Sequence, residues 1–187
     1  MSIFKDHALR VGLILAAFAV VATSLVVLTE NTTHDQIIEN ERQTLLNAIN
    51  AVISTDRYNN EILTDTITLS PKKQLGTQQN STVYRARMNG VAEAVVFTSI
   101  APNGYNGKIK LLVGIASTGS VTGVRVISHK ETPGLGDKID TKKADWILNF
   151  KGLSLSRPDV SMWKVKKDGG DFDQFTGATI TPRAVVT

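Results

Sequence analysis

Apolar positions along this chain change their period twice, and each change marks a new kind of element. Residues 11–28 are almost uniformly apolar, interrupted by Gly12, Thr23 and Ser24, and Ala8 and Leu9 lengthen the run at its start. At about 1.5 Å per residue, such a run just spans a bilayer core of roughly 30 Å as a helix. In residues 35–53 the apolar side chains Ile38, Leu45, Ile49, Val52 and Ile53 recur at helical spacings, which predicts an amphipathic helix with one buried stripe. The period then falls toward two. Residues 61–69, 82–88 and 91–100 read as strands, the last two joined by Asn89-Gly90, a pair whose tolerance of positive φ favours a tight hairpin. Residues 109–116 and 121–128 form a second pair around Ser117-Thr118-Gly119-Ser120. The polar residues 71–81 predict an exposed loop, and residues 101–108, with two glycines around Tyr105, predict another.

After the strands the pattern weakens. Residues 138–150 predict a helix with Ile139, Trp146, Ile147 and Phe150 toward one side, Trp146 being a core residue rather than a stacking one. Residues 161–165 predict a strand and residues 166–171 a loop with Gly169-Gly170. Residues 182–187 predict the opening of a helix too short to hold itself. The class is α+β: a single N-terminal transmembrane helix (residues 1–30 with its tip), then a mainly antiparallel sheet packed with helices (31–187).

Charge fixes the direction of the anchor. Lys5 and Arg10 precede the apolar run, while Glu30, Asp35, Glu39 and Glu41 follow it, which predicts a cytoplasmic N-terminus and a domain on the other side. Ala17-Phe18-Ala19 resembles a signal-peptide cleavage site, but it lies inside a run that continues past it, so a retained anchor is expected. With 187 residues, 42% hydrophobic and 20% charged, there is room for one core plus that appendage. Cysteine is absent, which excludes disulfides and thiolate chemistry, and the three histidines are scattered without ligand spacing, so no metal site is expected. The net charge of +4 arises from lysines and arginines interleaved with acids, a solvated surface rather than a nucleic-acid patch.

Two stretches carry chemistry. In Asp173-Gln174-Phe175-Thr176-Gly177-Ala178-Thr179, a turn-permissive Gly-Ala pair allows close backbone approach. The Ile180-Thr181-Pro182 that follows reads as a helix start with N–H groups free for an anion such as phosphate. In Glu131-Thr132-Pro133-Gly134-Leu135-Gly136, proline and glycines set a tight loop with polar groups suited to walling a planar heterocycle. No Gly-x-Gly-x-x-Gly is present, so a bound dinucleotide is not expected.

The pattern Asp-x-x-Thr-Gly-Ala-Thr, ending at Thr179, resembles the flavinylation motif of a family of membrane-anchored FMN-binding proteins. Its members are the G subunit of the Rnf/Rsx electron-transport complex and the corresponding C subunit of the sodium-pumping NADH:quinone oxidoreductase. Glu-Thr-Pro-Gly-Leu-Gly resembles that family's other signature, and Gly104-Tyr105-Asn106-Gly107 its Gly-Tyr-x-Gly loop. The resemblance implies FMN held covalently by a phosphoester on Thr179, made by a separate flavin transferase. A threonine hydroxyl is a weak nucleophile that needs outside activation. It further implies that Thr176, Gly177 and Ala178 lie close to the flavin. Glu131, Thr132, Gly134, Leu135 and Gly136 would support its ring, and Tyr105 would either line the cavity or pack structurally. Asp173, a poor phosphate neighbour by charge, is expected to serve the transferase. The implied role is electron relay among the membrane subunits of an ion-translocating ferredoxin:NAD oxidoreductase, on the periplasmic side of a bacterial inner membrane. The short chain favours the Rnf/Rsx member over the sodium-pump member, and the family usually continues through the terminal helix. A membrane-tethered module without redox work is the alternative from a different class.

Overall fold

The computed structural model describes the backbone of residues 2–187 and the side chains of residues 9–30 and 32–187; the side chain of Lys5, used above for orientation, lies outside the described residues. The chain divides into two compact units, Met1–Leu45 and Leu46–Thr187.

Helix α1 is continuous over Ser2–Val52, where the sequence predicts a membrane helix and a separate amphipathic one. The polar stretch after Leu28 does not break it because it holds neither glycine nor proline and its hydroxyls turn back onto the helix. Thr29 Oγ1 donates to Leu25 O at 2.8 Å, and Thr33 Oγ1 to Thr29 O at 2.8 Å. The N-terminal part of α1 is long and apolar enough to cross a membrane, and Leu13, Leu15 and Phe18 are exposed on it.

The second unit is built on a five-stranded antiparallel meander in sequential order: β1 (Thr66–Leu69), β2 (Ser81–Met88), β3 (Val91–Gly104), β4 (Gly107–Ala116) and β5 (Val121–Ser128). Predicted β-structure from residue 61 is confined to β1, because residues 62–64 turn and Asp65 N bonds back to Glu61 O. The Asn89-Gly90 hairpin forms as expected, with positive φ at both residues (51° and 82°). The loop predicted over residues 101–108 does not form. Instead, β3 runs on to Gly104, which pairs with Gly107 across a two-residue turn at Tyr105-Asn106. Gly107 absorbs the left-handed conformation there with φ 116°.

Both faces of the sheet are covered, in different ways. On one face, hereafter the α1 face, Gly114 and Gly123 lie directly under Val52. A Cβ at Gly123 would come within 2.8 Å of the Val52 backbone. Ile49, Val52, Ile53 and Ile62 are fully buried, as are Ala86 and Val96 of the sheet. On the opposite face Ile109, Leu111 and Val124 join one core with Ile139, Trp146, Ile147, Phe150, Phe172, Phe175 and Val186.

This second layer is not the helix and strand that the pattern predicts. Residues 138–150 divide into 3₁₀ turns at Gly136–Ile139 and Trp146–Phe150, separated by turns in which Lys143 N and Ala144 N both close on Asp140 O. Residues 161–165 give a 3₁₀ turn at Val160–Met162 and one isolated bridge, Val165 with Phe172. The aromatic spacing that suggests a helical stripe instead serves a ring cluster: Phe150 stacks on Phe172 with centroids 4.9 Å apart, and Trp163 lies 5.2 Å from Phe172. A short helix, α2 (Ile180–Val186), closes the chain. It is held by packing, with Thr181, Pro182 and Val186 buried.

Candidate functional site

Three segments converge on one carboxylate. Glu131 is 5% exposed, and its side chain accepts hydrogen bonds from Asn106 N (3.1 Å), Tyr105 N (3.3 Å) and the hydroxyl of Thr181. The β3–β4 turn, the loop after β5 and the start of α2 are thereby tied at a single point. Space around the carboxylate is kept by glycine. A Cβ at Gly136 would fall 2.7 Å from Thr181 Oγ1 and 2.9 Å from Glu131 Oε2, and one at Gly104 would fall 2.9 Å from Glu131 Oε1. A further bond, Asn106 Nδ2 to Thr132 Oγ1 at 3.1 Å, staples the turn to the loop from outside.

The loop folds on itself because Leu135 N and Gly136 N both donate to Thr132 O, while Gly134 takes φ 77°. Leu135 is thereby left exposed on the surface.

Residues 173–179 are placed from beneath by aromatic packing. Phe175 is buried with its ring 5.2 Å from that of Trp146, edge to face, and Trp146 Nε1 donates to Asp173 O at 2.8 Å. From Phe175 the chain makes a tight turn closed by Ala178 N on Phe175 O, with Gly177 at φ 80°. A Cβ there would touch Leu135 Cδ2 at 3.8 Å, so the turn lies against the loop after β5. Thr179 follows as the residue capping α2; its carbonyl accepts from Arg183 N. Its half-buried side chain makes no hydrogen bond among the described residues. Thr176 and Gly177 are exposed and Ala178 is half-buried.

The ten residues expected at the site therefore fall on adjoining segments, some buried and some on the surface. Tyr105 is 65% exposed, so it neither lines a closed cavity nor packs in the core. Glu131 and Gly136 lie inward, while Thr132, Gly134 and Leu135 lie toward the surface. Asp173, just before the turn, has its carboxylate exposed and paired at 2.5 Å with Lys166 Nζ. Sequence reasoning missed Thr181 and Asn106, which lock the three segments together. Glu131 and Thr181 are fifty residues apart, and no spacing rule connects them.

Arg183 grips Asp168 through two bonds, Nε to Oδ2 at 2.6 Å and Nη2 to Oδ1 at 2.8 Å. That hydrogen bonding holds the Asp168 carboxyl below the usual carboxylate range and raises the Arg183 guanidinium. Among the described residues there is no group of three or more His, Asp or Glu side chains that could hold a metal ion.

The surface combines a hydroxyl without a partner among the described residues, a glycine turn giving close backbone approach, and the exposed apolar side chains Leu135, Ile180 and Tyr105.

The FMN-binding domain family matches residues 104–187, a span that opens at the β3–β4 turn and includes all three segments. The RnfG N-terminal region matches residues 1–52, the length of α1. Among curated proteins, the chain is similar to the G subunit of the ion-translocating oxidoreductase complex of Vibrio atlanticus (strain LGP32), with 51% identity over 94% of this chain and 83% of that protein. The G subunits of the same complex in Aliivibrio fischeri (strain ATCC 700601 / ES114) and Shewanella baltica (strain OS223) are 47% and 46% identical, over 94% and 97% of this chain and 83% and 86% of theirs.

Proposed function

The chain belongs to the G-subunit family of the ion-translocating oxidoreductase complex, and from that membership we propose that it relays electrons through an FMN joined by a phosphoester to Thr179. As a member of that family it takes part in electron transport, and its FMN-binding domain is the part that works on electrons. The match of residues 1–52 to the RnfG N-terminal region separates this reading from the sodium-pump member of the wider family.

The observation that carries the covalent reading is the Thr179 hydroxyl, without a hydrogen bond among the described residues, at the end of a turn held in place by Phe175, Leu135 and the Glu131 junction. Among the described residues no side chain is bonded to that hydroxyl as a base, which fits attachment by a separate flavin transferase. Asp173, exposed beside the turn, is the side chain we assign to recognition by that transferase. The flavin would supply electron transfer while bound. Gly177 and Ala178 give its phosphate close backbone, and Leu135, Gly134 and Thr132 flank the ring. Tyr105 stands at the rim. A phosphoester leaves the ring's electronics nearly untouched, so these contacts and solvent access set its potential. Partners are the other membrane subunits of the complex, in the ferredoxin:NAD type that the Rnf/Rsx resemblance implies. The domain lies on the periplasmic side of the inner membrane, with α1 as its anchor.

Co-expression of the full chain with a flavin transferase tests the reading. The denatured protein band should fluoresce under ultraviolet light, and intact mass should rise by one FMN less one water, localised to Thr179. Thr179→Val should remove both signals. A wild-type band that stays dark would return the chain to the class of membrane-tethered modules without redox work. Asp173→Ala should lower flavin incorporation without moving the melting curve, and unchanged incorporation would remove its assignment.

A further inference from the structure

On the α1 face of the sheet, beyond the part that Val52 covers, a groove of about 480 Å³ opens between the polar loop before β2 and the neighbouring strands. Strand alternation and register place Thr82, Tyr84, Thr98, Lys108 and Lys110 on this face: Tyr84 pairs with Val96, and Lys110 pairs with Ile100 two positions from the Thr98–Leu112 pair. None of the residues lining the groove is acidic. Among the described residues neither Lys108 nor Lys110 has an ion-pair partner, although acids elsewhere on the chain are paired. β4 is an interior strand, so these lysines are not needed to protect a sheet edge from pairing.

The groove wall is built. The loop is pinned to β3 where Gly76 approaches the Ile100 carbonyl so closely that a Cβ would collide with it. Ser99 Oγ donates to Leu75 O at 3.3 Å, and Thr77 Oγ1 accepts from Lys72 N at 3.1 Å, closing the loop on itself.

We propose that this groove is an anion-binding site that takes a phosphate group. Two ammonium groups two residues apart on one strand face start about 7 Å apart, and flexible stems let both reach one phosphate between them. Threonine hydroxyls and the Tyr84 hydroxyl add donors, and a phosphate offers enough acceptor oxygens to engage several of them at once. The groove has room for more than one phosphate group, so the phosphate is taken as part of a larger molecule, either a soluble phosphate ester or a phospholipid headgroup. The site is separate from the flavin site: Thr179 caps α2, whose Val186 packs in the core on the opposite face.

The test uses the full chain in a neutral maltoside detergent. Titration with inorganic phosphate and with glycerol 3-phosphate is followed by backbone amide shifts at Thr82, Thr98, Lys108 and Lys110, with sodium chloride at equal ionic strength as reference. A second arm places the chain in phosphatidylcholine nanodiscs with or without phosphatidylglycerol and follows hydrogen exchange in residues 76–82. Saturable shifts with the soluble esters, weakened about tenfold or more in the K108Q/K110Q double variant, support the site with a soluble ligand. Protection that needs phosphatidylglycerol and is lost in the double variant supports it with a lipid headgroup. Flavin incorporation should be unchanged in that variant, which separates this result from the Thr179 reading. Responses equal to those with chloride in both arms, or the same in the double variant as in the wild type, overturn it.

Discussion

Glu131 sits where the β3–β4 turn, the loop after β5 and the start of α2 meet, and its two oxygens satisfy donors from two of these segments while the third segment carries it. A buried carboxylate in that position stabilises only while its partners are present, and its removal leaves two backbone N–H groups and one hydroxyl without an acceptor. Glu131→Ala should therefore cost about 3–5 kcal/mol in urea denaturation, and Glu131→Gln, which keeps the shape and one acceptor, about 1–3 kcal/mol. Both should lower flavin incorporation although Thr179 is intact, and a variant with full stability and full incorporation would remove Glu131 from the junction. The motifs around Thr179 and Glu131 are legible in the sequence because each is local, a few residues of fixed type in a row. The role of Glu131 is not: its donors come from positions 25, 26 and 50 residues away. The tasks of Asn106 and Thr181 are hidden for the same reason.

Among the elements, the docking of α1 on the sheet depends on residues without side chains. Gly123→Ala would set a methyl against the Val52 backbone, which has no rotamer to yield. We expect a loss of about 1–3 kcal/mol in equilibrium unfolding, as for other overpacked contacts. An unchanged midpoint would mean that α1 does not bear on the sheet there. At the other end, α2 responds to pH through Arg183 and Asp168. The Asp168 carboxyl is held below its usual range by the Arg183 bond, so its contribution is present at neutral pH. It is lost as pH falls below about 4 and the carboxylate takes up its proton. Protection factors in residues 180–186, taken against the intrinsic exchange rate at each pH, should fall on that descent, and Asp168→Asn should show the lower protection already at neutral pH. Strands and hairpins are well foretold because alternation and an Asn-Gly pair are short-range signals. The layer from Gly136 to Asp168 is not, since aromatic residues there are spaced for a ring cluster rather than for a repeating backbone.

At the scale of the molecule, the order of elements, an apolar helix and then an antiparallel meander, follows from the period of hydrophobic positions. The joining of two predicted helices into α1 does not, because threonines that bond to their own helix look like loop residues in a sequence. The proposed orientation rests on the charge difference across the apolar run. An alkaline phosphatase fused after Thr187 should be active in cells and one fused before Met1 inactive, and the reverse pattern would place the domain in the cytoplasm. The Glu131 junction also divides the surface into places that accept foreign sequence and places that do not. An affinity tag spliced between Thr118 and Gly119 would enter an exposed turn bonded mainly to itself and should leave flavin loading intact. The same tag between Tyr105 and Asn106 would part the two amides that share one carboxylate, so labelling there for imaging or purification would yield colourless protein.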